Sequence, residues 1–230
     1  MKILAIETAT DACSAALLVD GQVHVAFELA PRKHTQLILS QIEQVLAEGE
    51  IATQDLDAIA FGRGPGAFTG LRIAAGVTQG MSLAGDIPAI AVSSLAAMAQ
   101  QAYQQHQEDK LYVALDARMN QVYWGEYQIQ DELAVLQGEE VVITPEELPS
   151  TQSDGFVGIG SGWQAYPQTL QNQVQAETNA TLQNIYPSAE HVALLAVPQY
   201  QAGILLSPEQ VQPVYLRNKI AQTLKERGKT

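Results

Sequence analysis

With 230 residues, 25 acidic against 12 basic side chains and a net charge of −13, the chain is long enough for one large domain or two small ones. Its apolar share of 47% can fill a core, and no run approaches the roughly 20 apolar residues of a membrane span, which excludes disordered, fibrous and membrane-spanning chains. A single cysteine, Cys13, excludes a disulfide framework and a structural zinc cluster. Glu7 interrupts the first apolar run too early for a signal peptide, so a soluble, cytoplasmic protein is expected. The charge is unevenly spread. Residues 1–216 carry 7 basic and 24 acidic groups, whereas Arg217, Lys219, Lys225, Arg227 and Lys229 crowd the end beside Glu226 alone. An acidic body repels a phosphate backbone, so autonomous nucleic-acid binding is not expected. The basic tail reads as a solvated terminus ahead of an arm for RNA or an acidic partner.

In chain order, Lys2–Glu7 reads as a buried strand, and Ala12–Val19 and Gln22–Leu29 flank Asp20-Gly21, a dipeptide suited to a two-residue hairpin turn. From His34 to Ala47, Ile38, Ile42, Val45 and Leu46 share one helical face, which Leu37 and Leu39 widen. Leu56–Phe61 is a further strand, and the glycine-rich loop Gly62–Gly66 opens a helix from Phe68 to Ala84. Pro88–Val92 is a strand, and Ser93-Ser94 supply the cap of a helix reaching Gln105. The order is βββαβαβα.

A polar stretch, Gln104–Lys110, then marks a boundary, giving domains 1–106 and 107–230. Beyond it the pattern starts over. Tyr112-Val113-Ala114-Leu115-Asp116 matches Ile3-Leu4-Ala5-Ile6-Glu7 at an offset of 109, and both runs end in a carboxylate. Val122–Ile129 and Leu133–Ile143 complete a second triple of strands, and Thr144-Pro145-Glu146-Glu147 signals a helix start. Phe156–Ile159 reads as a strand, Ala189–Leu206 as a helix interrupted by Pro198, and Pro213–Leu216 as a strand. The repeated order argues for a duplicated α/β unit, with the tail free to pack back on the first half.

Candidate chemistry is sparse. Gly62 to Ala67 satisfies G-x-G-x-x-A between a strand and a helix, but the next strand ends in Ser93, not in an acid for ribose hydroxyls. No Gly-Lys-Ser/Thr follows, so a P-loop fails as well. Tight packing of backbone against backbone is the leading explanation of these glycines, with phosphate contact second. Small residues at Gly70, Ala74, Ala75, Gly76, Gly80 and Ala84 suit close approach of a second helix. Glu7 and Asp116, paired by the repeat, could hold a metal–nucleotide across two domains, or each could cap a turn. Gly158-Ile159-Gly160-Ser161-Gly162 lies where a duplicated nucleotide fold would place its adenosine loop. His24, His34, His106 and His191 form no H-x-x-x-H pair, no G-x-S-x-G occurs, and Cys13 lies inside a strand pattern. No catalytic residue and no metal ligand is assigned.

Five segments carry a resemblance: Ile3–Thr10, Pro31–Gln36, Phe61–Ile73, Asp116–Met119 and Pro213–Asn218. In this order they resemble the TsaB (YeaZ) family of bacterial threonylcarbamoyladenosine biosynthesis, from Met1 to about Asn218. The resemblance implies a duplicated actin-like (Hsp70-like) fold. It also implies a non-catalytic paralogue of TsaD, which modifies the adenosine beside the anticodon in tRNAs reading codons that begin with A. A homodimer, a heterodimer with TsaD and a larger complex with TsaE are implied, with tRNA reached only through the complex and no cofactor. The interface implied lies on the two long helices of the first half, at Leu37, Ile38, Gln41, Ile42 and Val45 on one and Leu71, Arg72, Ala74, Ala75 and Thr78 on the other. If nucleotide binds, the positions implied are Glu7, Thr8, Asp116 and Gly160, although Glu7 stands where this fold usually has Asp. The alternative is an actin-fold ATPase or small-molecule kinase that uses Glu7 and Asp116 with Mg-ATP.

Overall fold

Ile3 and Ala5 point to one side of the first strand and Leu4 and Ile6 to the other, and all four are fully buried. That strand, β1 (Lys2–Glu7), must therefore be covered on both faces. The computed structural model describes residues 1–150, 155–178 and 182–217, with the side chain of residue 183 left out. The tail residues Lys219, Lys225, Glu226, Arg227 and Lys229 lie outside the described residues. β2 (Ala12–Val19) runs antiparallel to β1, and β3 (Gln22–Leu29) returns through Asp20 and Gly21, whose φ angles of 51° and 81° form the hairpin turn. β4 (Ala58–Gly62) and β5 (Ala89–Val92) add in parallel, giving the order β3-β2-β1-β4-β5. Helices α1 (His34–Glu48) and α2 (Phe68–Gly85) cover one face, where Ile38, Ile42, Val45 and Ala74 pack on Leu4, Ile6, Ala15 and Leu17. α3 (Ser94–His106) starts at Ser93, whose hydroxyl accepts from the Leu95 and Ala96 amides.

The second half repeats this plan. β6 (Lys110–Asp116), β7 (Val122–Gln130), β8 (Leu133–Ile143), β9 (Val157–Ile159) and β10 (Glu177–Thr178) form a sheet of order β10-β9-β6-β7-β8. Read from its far edge, this is the first sheet again, with β6 in the place of β1. α4 (Ser161–Ala165) and α5 (Pro167–Gln173) cover one face, seating Trp163 and Leu170 on Tyr112, Trp124 and Phe156. Thr144–Glu147 does not start an α-helix. Pro145–Glu147 makes one 3-10 turn, and among the described residues no α-helix lies between β8 and β9.

The remaining faces are covered crosswise. α6 (Ala189–Gln201) belongs to the second half but packs on β1, β2, β4 and β5, while α3 of the first half packs on β6, β7 and β8. One core therefore runs through both halves and joins Ile3, Ala5 and Ala60 to Val113, Leu115 and Ile159 through Met98, Val192 and Ala196. The helix expected over Ala189–Leu206 stops at Gln201, because Gly203 turns at φ 69° and Leu206 then pairs with Ala89 on the β5 edge. Pro213–Leu216 forms no strand. It crosses the surface as extended chain, and Val214 N–H donates to the Arg63 carbonyl at 2.8 Å.

Candidate functional site: the cleft between the halves

The glycine-rich loop from Gly62 to Ala67 spends its backbone on protein. Arg63 N–H donates to the Val92 carbonyl at 2.8 Å, Ser94 N–H to the Gly64 carbonyl at 2.9 Å, and Ala67 N–H to the Ala9 carbonyl at 2.7 Å. A methyl group at Gly66 would strike the Ala9 carbonyl, and one at Gly70 the Thr8 carbonyl. The glycines thus let the start of α2 press against the turn after β1, backbone on backbone.

That contact decides where the acid ending β1 can go. Glu7 is fully buried and accepts from the Ala9 amide at 2.6 Å and the Ser94 hydroxyl at 2.7 Å. Burial pushes its carboxyl above the usual range, and these hydrogen bonds offset only part of the shift. The Thr8 hydroxyl donates to the Gly70 carbonyl at 2.8 Å, so it too faces the protein. Gly160, at φ 94°, lies against the Ala114 carbonyl. Only Asp116 of the four nucleotide candidates lines the cleft, where it accepts from the Arg118 amide at 2.8 Å and from the Arg118 guanidinium at 2.9 Å. The structure does not bring Glu7 and Asp116 to one ligand, and an Mg-ATP site built on both carboxylates would need them there.

The cleft itself encloses about 690 Å³ between the Thr10–Asp11 turn and Phe68 on one wall and Asp116–Met119 and Ala165 on the other. Residues Val214 to Arg217 close one of its edges. Its lining mixes acids (Asp11, Asp116) with bases (Arg118, Arg217) and aromatic rings (Tyr123, Tyr186, Tyr215). Outside its lining, between the two halves, lies a buried polar group that no motif signalled. The Glu140 side chain is only 4% exposed and accepts from Arg63 Nη2 at 2.9 Å, Tyr127 Oη at 2.6 Å and the Ser93 hydroxyl. Burial and the neighbouring Glu140 hold the Tyr127 phenol protonated well above its usual range. This group fastens the glycine-rich loop of the first half to β7 and β8 of the second.

The helices expected to form an interface are where the sequence placed them, but their apolar stripe points inward. Ile38, Gln41, Ile42, Val45, Leu71, Ala74, Ala75 and Thr78 are buried within the chain itself, with Leu37 half-buried and Arg72 exposed. The physical reason is simple: a helical stripe this apolar is the one its own sheet takes. The outward face of α2 carries Arg72, Gly76, Gln79, Gly80 and Leu83 instead, and a Cβ at Gly76 or Gly80 would meet nothing within 4 Å. Among the described residues no helix is long and apolar enough to cross a membrane.

Comparison with known proteins agrees with this architecture. Residues 24–224 match the sequence family described as "TsaD: tRNA N6-adenosine threonylcarbamoyltransferase". The chain is 42% identical to the tRNA threonylcarbamoyladenosine biosynthesis protein TsaB of Escherichia coli K12, over 96% of each chain. It is 38% identical to the protein of the same name in Haemophilus influenzae, over 96% of this chain and 95% of that one. The solved structure of YeaZ from Pseudomonas aeruginosa superposes with a TM-score of 0.87 at 41% identity, covering 94% of this chain and 99% of that one. The chain therefore belongs to the TsaB (YeaZ) family, a branch of the wider TsaD family.

Proposed function

We propose that the chain is a non-catalytic accessory subunit in the formation of N6-threonylcarbamoyladenosine on tRNA. It holds a TsaD-type transferase through the outward face of α1 and α2. A second copy of the chain uses the same face when that partner is missing, TsaE joins the larger complex, and tRNA is reached through the assembly. The observation that carries this reading is the outward stripe of α2, where Gly76 and Gly80, one turn apart, are open, and Leu83 is 69% exposed beside them. Such a stripe lets another helix approach closely, and Leu39, 56% exposed on α1, adds apolar surface. The curated relatives at 42% and 38% identity supply the pathway.

Light scattering of size-fractionated mixtures with the TsaD-type partner tests it. Gly76→Glu is expected to keep the circular dichroism of the parent and a melting temperature no lower than the parent's while losing both self-association and the heterodimer. Ala74→Glu, buried against the sheet, should instead unfold the chain. Retention of both assemblies by a folded Gly76→Glu variant would defeat the reading.

A further inference from the structure

The segment Ser207–Arg217 belongs to neither sheet, yet it is fastened at points that span the whole molecule. Just before it, Leu206 and Ala89 exchange backbone hydrogen bonds of 2.8 and 2.9 Å at the β5 edge. The Pro208 carbonyl accepts from Gln79 Nε2 on α2 at 2.9 Å, and Val211 is buried with Phe61, Ala75 and Ala89. After Val214 bonds to Arg63, the Tyr215 hydroxyl accepts from Arg72 Nε at 3.2 Å and its ring packs on Phe68 with 5.5 Å between centroids. The Arg72 guanidinium lies 4.0 Å over the same Phe68 ring. The chain then crosses the cleft. Arg217 Nη2 donates to the Arg118 carbonyl at 3.2 Å and to Gln121 Oε1 at 2.7 Å.

Its anchor in the second half is a costly turn. Arg118, Met119 and Asn120 hold φ angles of 60°, 57° and 57°, three consecutive left-handed residues without a glycine. Side chains in that region persist only where their surroundings fix them. Asp116 holds the start of this turn through the Arg118 amide, and Arg217 holds its far side. Because Arg118 and Met119 also line the cleft, the wall of the cleft and the end of the strap are one structure.

The geometry points to Ser207–Arg217 as a tie that couples a partner seated on α2 to the width of the cleft. This rests on the docking face proposed above. Arg72, Gly76 and Gly80 succeed one another at spacings of four on that face, so a partner over the glycines also covers Arg72 and Tyr215. Removing water from the Arg72–Tyr215 hydrogen bond strengthens it and fixes the strap. The strap in turn fixes the Arg118–Gln121 turn. Linkage then requires the reverse: a chain whose strap is cut from the second half binds the partner more weakly.

Paired spin labels on Asp11→Cys and Ala165→Cys, on opposite walls of the cleft, give the width by electron–electron dipolar spectroscopy. Cys13 stays silent because it is buried with its thiol pushed up to about 12. The parent chain is expected to show a distance distribution that narrows when the TsaD-type partner is added. Arg217→Ala, and independently Gln121→Ala, should broaden the distribution in the chain alone and weaken partner binding about 5-fold or more. An unchanged distribution in both folded variants, or a parent distribution indifferent to the partner, overturns the tie. Gly76→Glu separates the two ideas. If it leaves partner binding intact the docking face is wrong, while the width of the lone Arg217→Ala chain still reports on the strap.

Discussion

Two buried titratable side chains, Glu7 and His191, give the fold opposite responses to pH. Glu7 carries a carboxyl raised above its ordinary 4.5, chiefly because burial penalises the charge. A raised folded value means that the stabilisation is full below the unfolded value and is lost as pH rises through the folded one. Glu7→Gln can keep the Ser94 and Ala9 contacts without a charge. Urea midpoints of parent and variant are expected to diverge in favour of the variant as pH rises above the ordinary carboxyl value of 4.5. Parallel curves would show that the carboxylate is not strained by burial. His191 sits 3% exposed on α6, its Nδ1 without a hydrogen-bond partner among the described residues, and burial lowers it from 6.5 to about 4. A depressed folded value places the stabilisation above 6.5 and removes it as pH falls toward about 4. At about 1.4 kcal/mol per unit this loss is about 3 kcal/mol, and His191→Leu should abolish that acid-side slope. The repeat pairs Glu7 with Asp116 in sequence, yet their environments diverge. What seals Glu7 is Gly62 and Ser94, distant in the chain, and no local pattern announces such a pocket.

At the level of elements, α2 is the sharpest case because its glycines serve opposite purposes. Replacing a helical glycine by alanine ordinarily stabilises by about 1 kcal/mol. Gly76 has that open space, so Gly76→Ala should raise the melting temperature of the isolated chain. Gly70→Ala should lower it markedly, since the new methyl collides with the Thr8 carbonyl, a backbone atom that cannot swing aside. Equal and small shifts for both would refute the close approach between the start of α2 and the β1–β2 turn. Strands β1 to β9 and the helices α1, α2 and α3 are legible in the sequence to within a residue or two, because alternation and 3.6-residue periodicity reflect burial directly. Three readings miss for local reasons, the first being the end of α6, which Gly203 at φ 69° sets at Gln201 rather than Leu206. Pro145 starts only a 3-10 turn, and Pro213–Leu216, although apolar, meets its neighbour through one backbone hydrogen bond. Of the interface positions expected on α1 and α2, all but Leu37 and Arg72 are buried within the chain itself. Periodic apolar positions report the face a helix gives to its own sheet, and on α2 the outward positions Gly76 and Gly80 break that period and stay open.

For the whole molecule, the repeat between Ile3–Glu7 and Tyr112–Asp116 discloses the duplication, and the two sheets have the same strand order. What the repeat does not disclose is the exchange of last helices, α3 to the second sheet and α6 to the first. That exchange depends on which faces are left bare after α1, α2, α4 and α5 are seated, a property of the assembled halves. It makes a specific prediction for the boundary read at 106–107. Each fragment would expose one face of its sheet, so residues 1–106 alone should give no cooperative melt, and a sharp one would mean that α6 is dispensable. Reconstituted tRNA modification decides whether the chain is an accessory subunit without chemistry of its own. TsaC, TsaD, TsaE, ATP, threonine, bicarbonate and unmodified tRNA are combined with and without this chain, and modified adenosine is read by mass spectrometry. Product should be lost when the chain is omitted, and none should come from the chain alone; undiminished product on omission would show that the modification does not need this subunit.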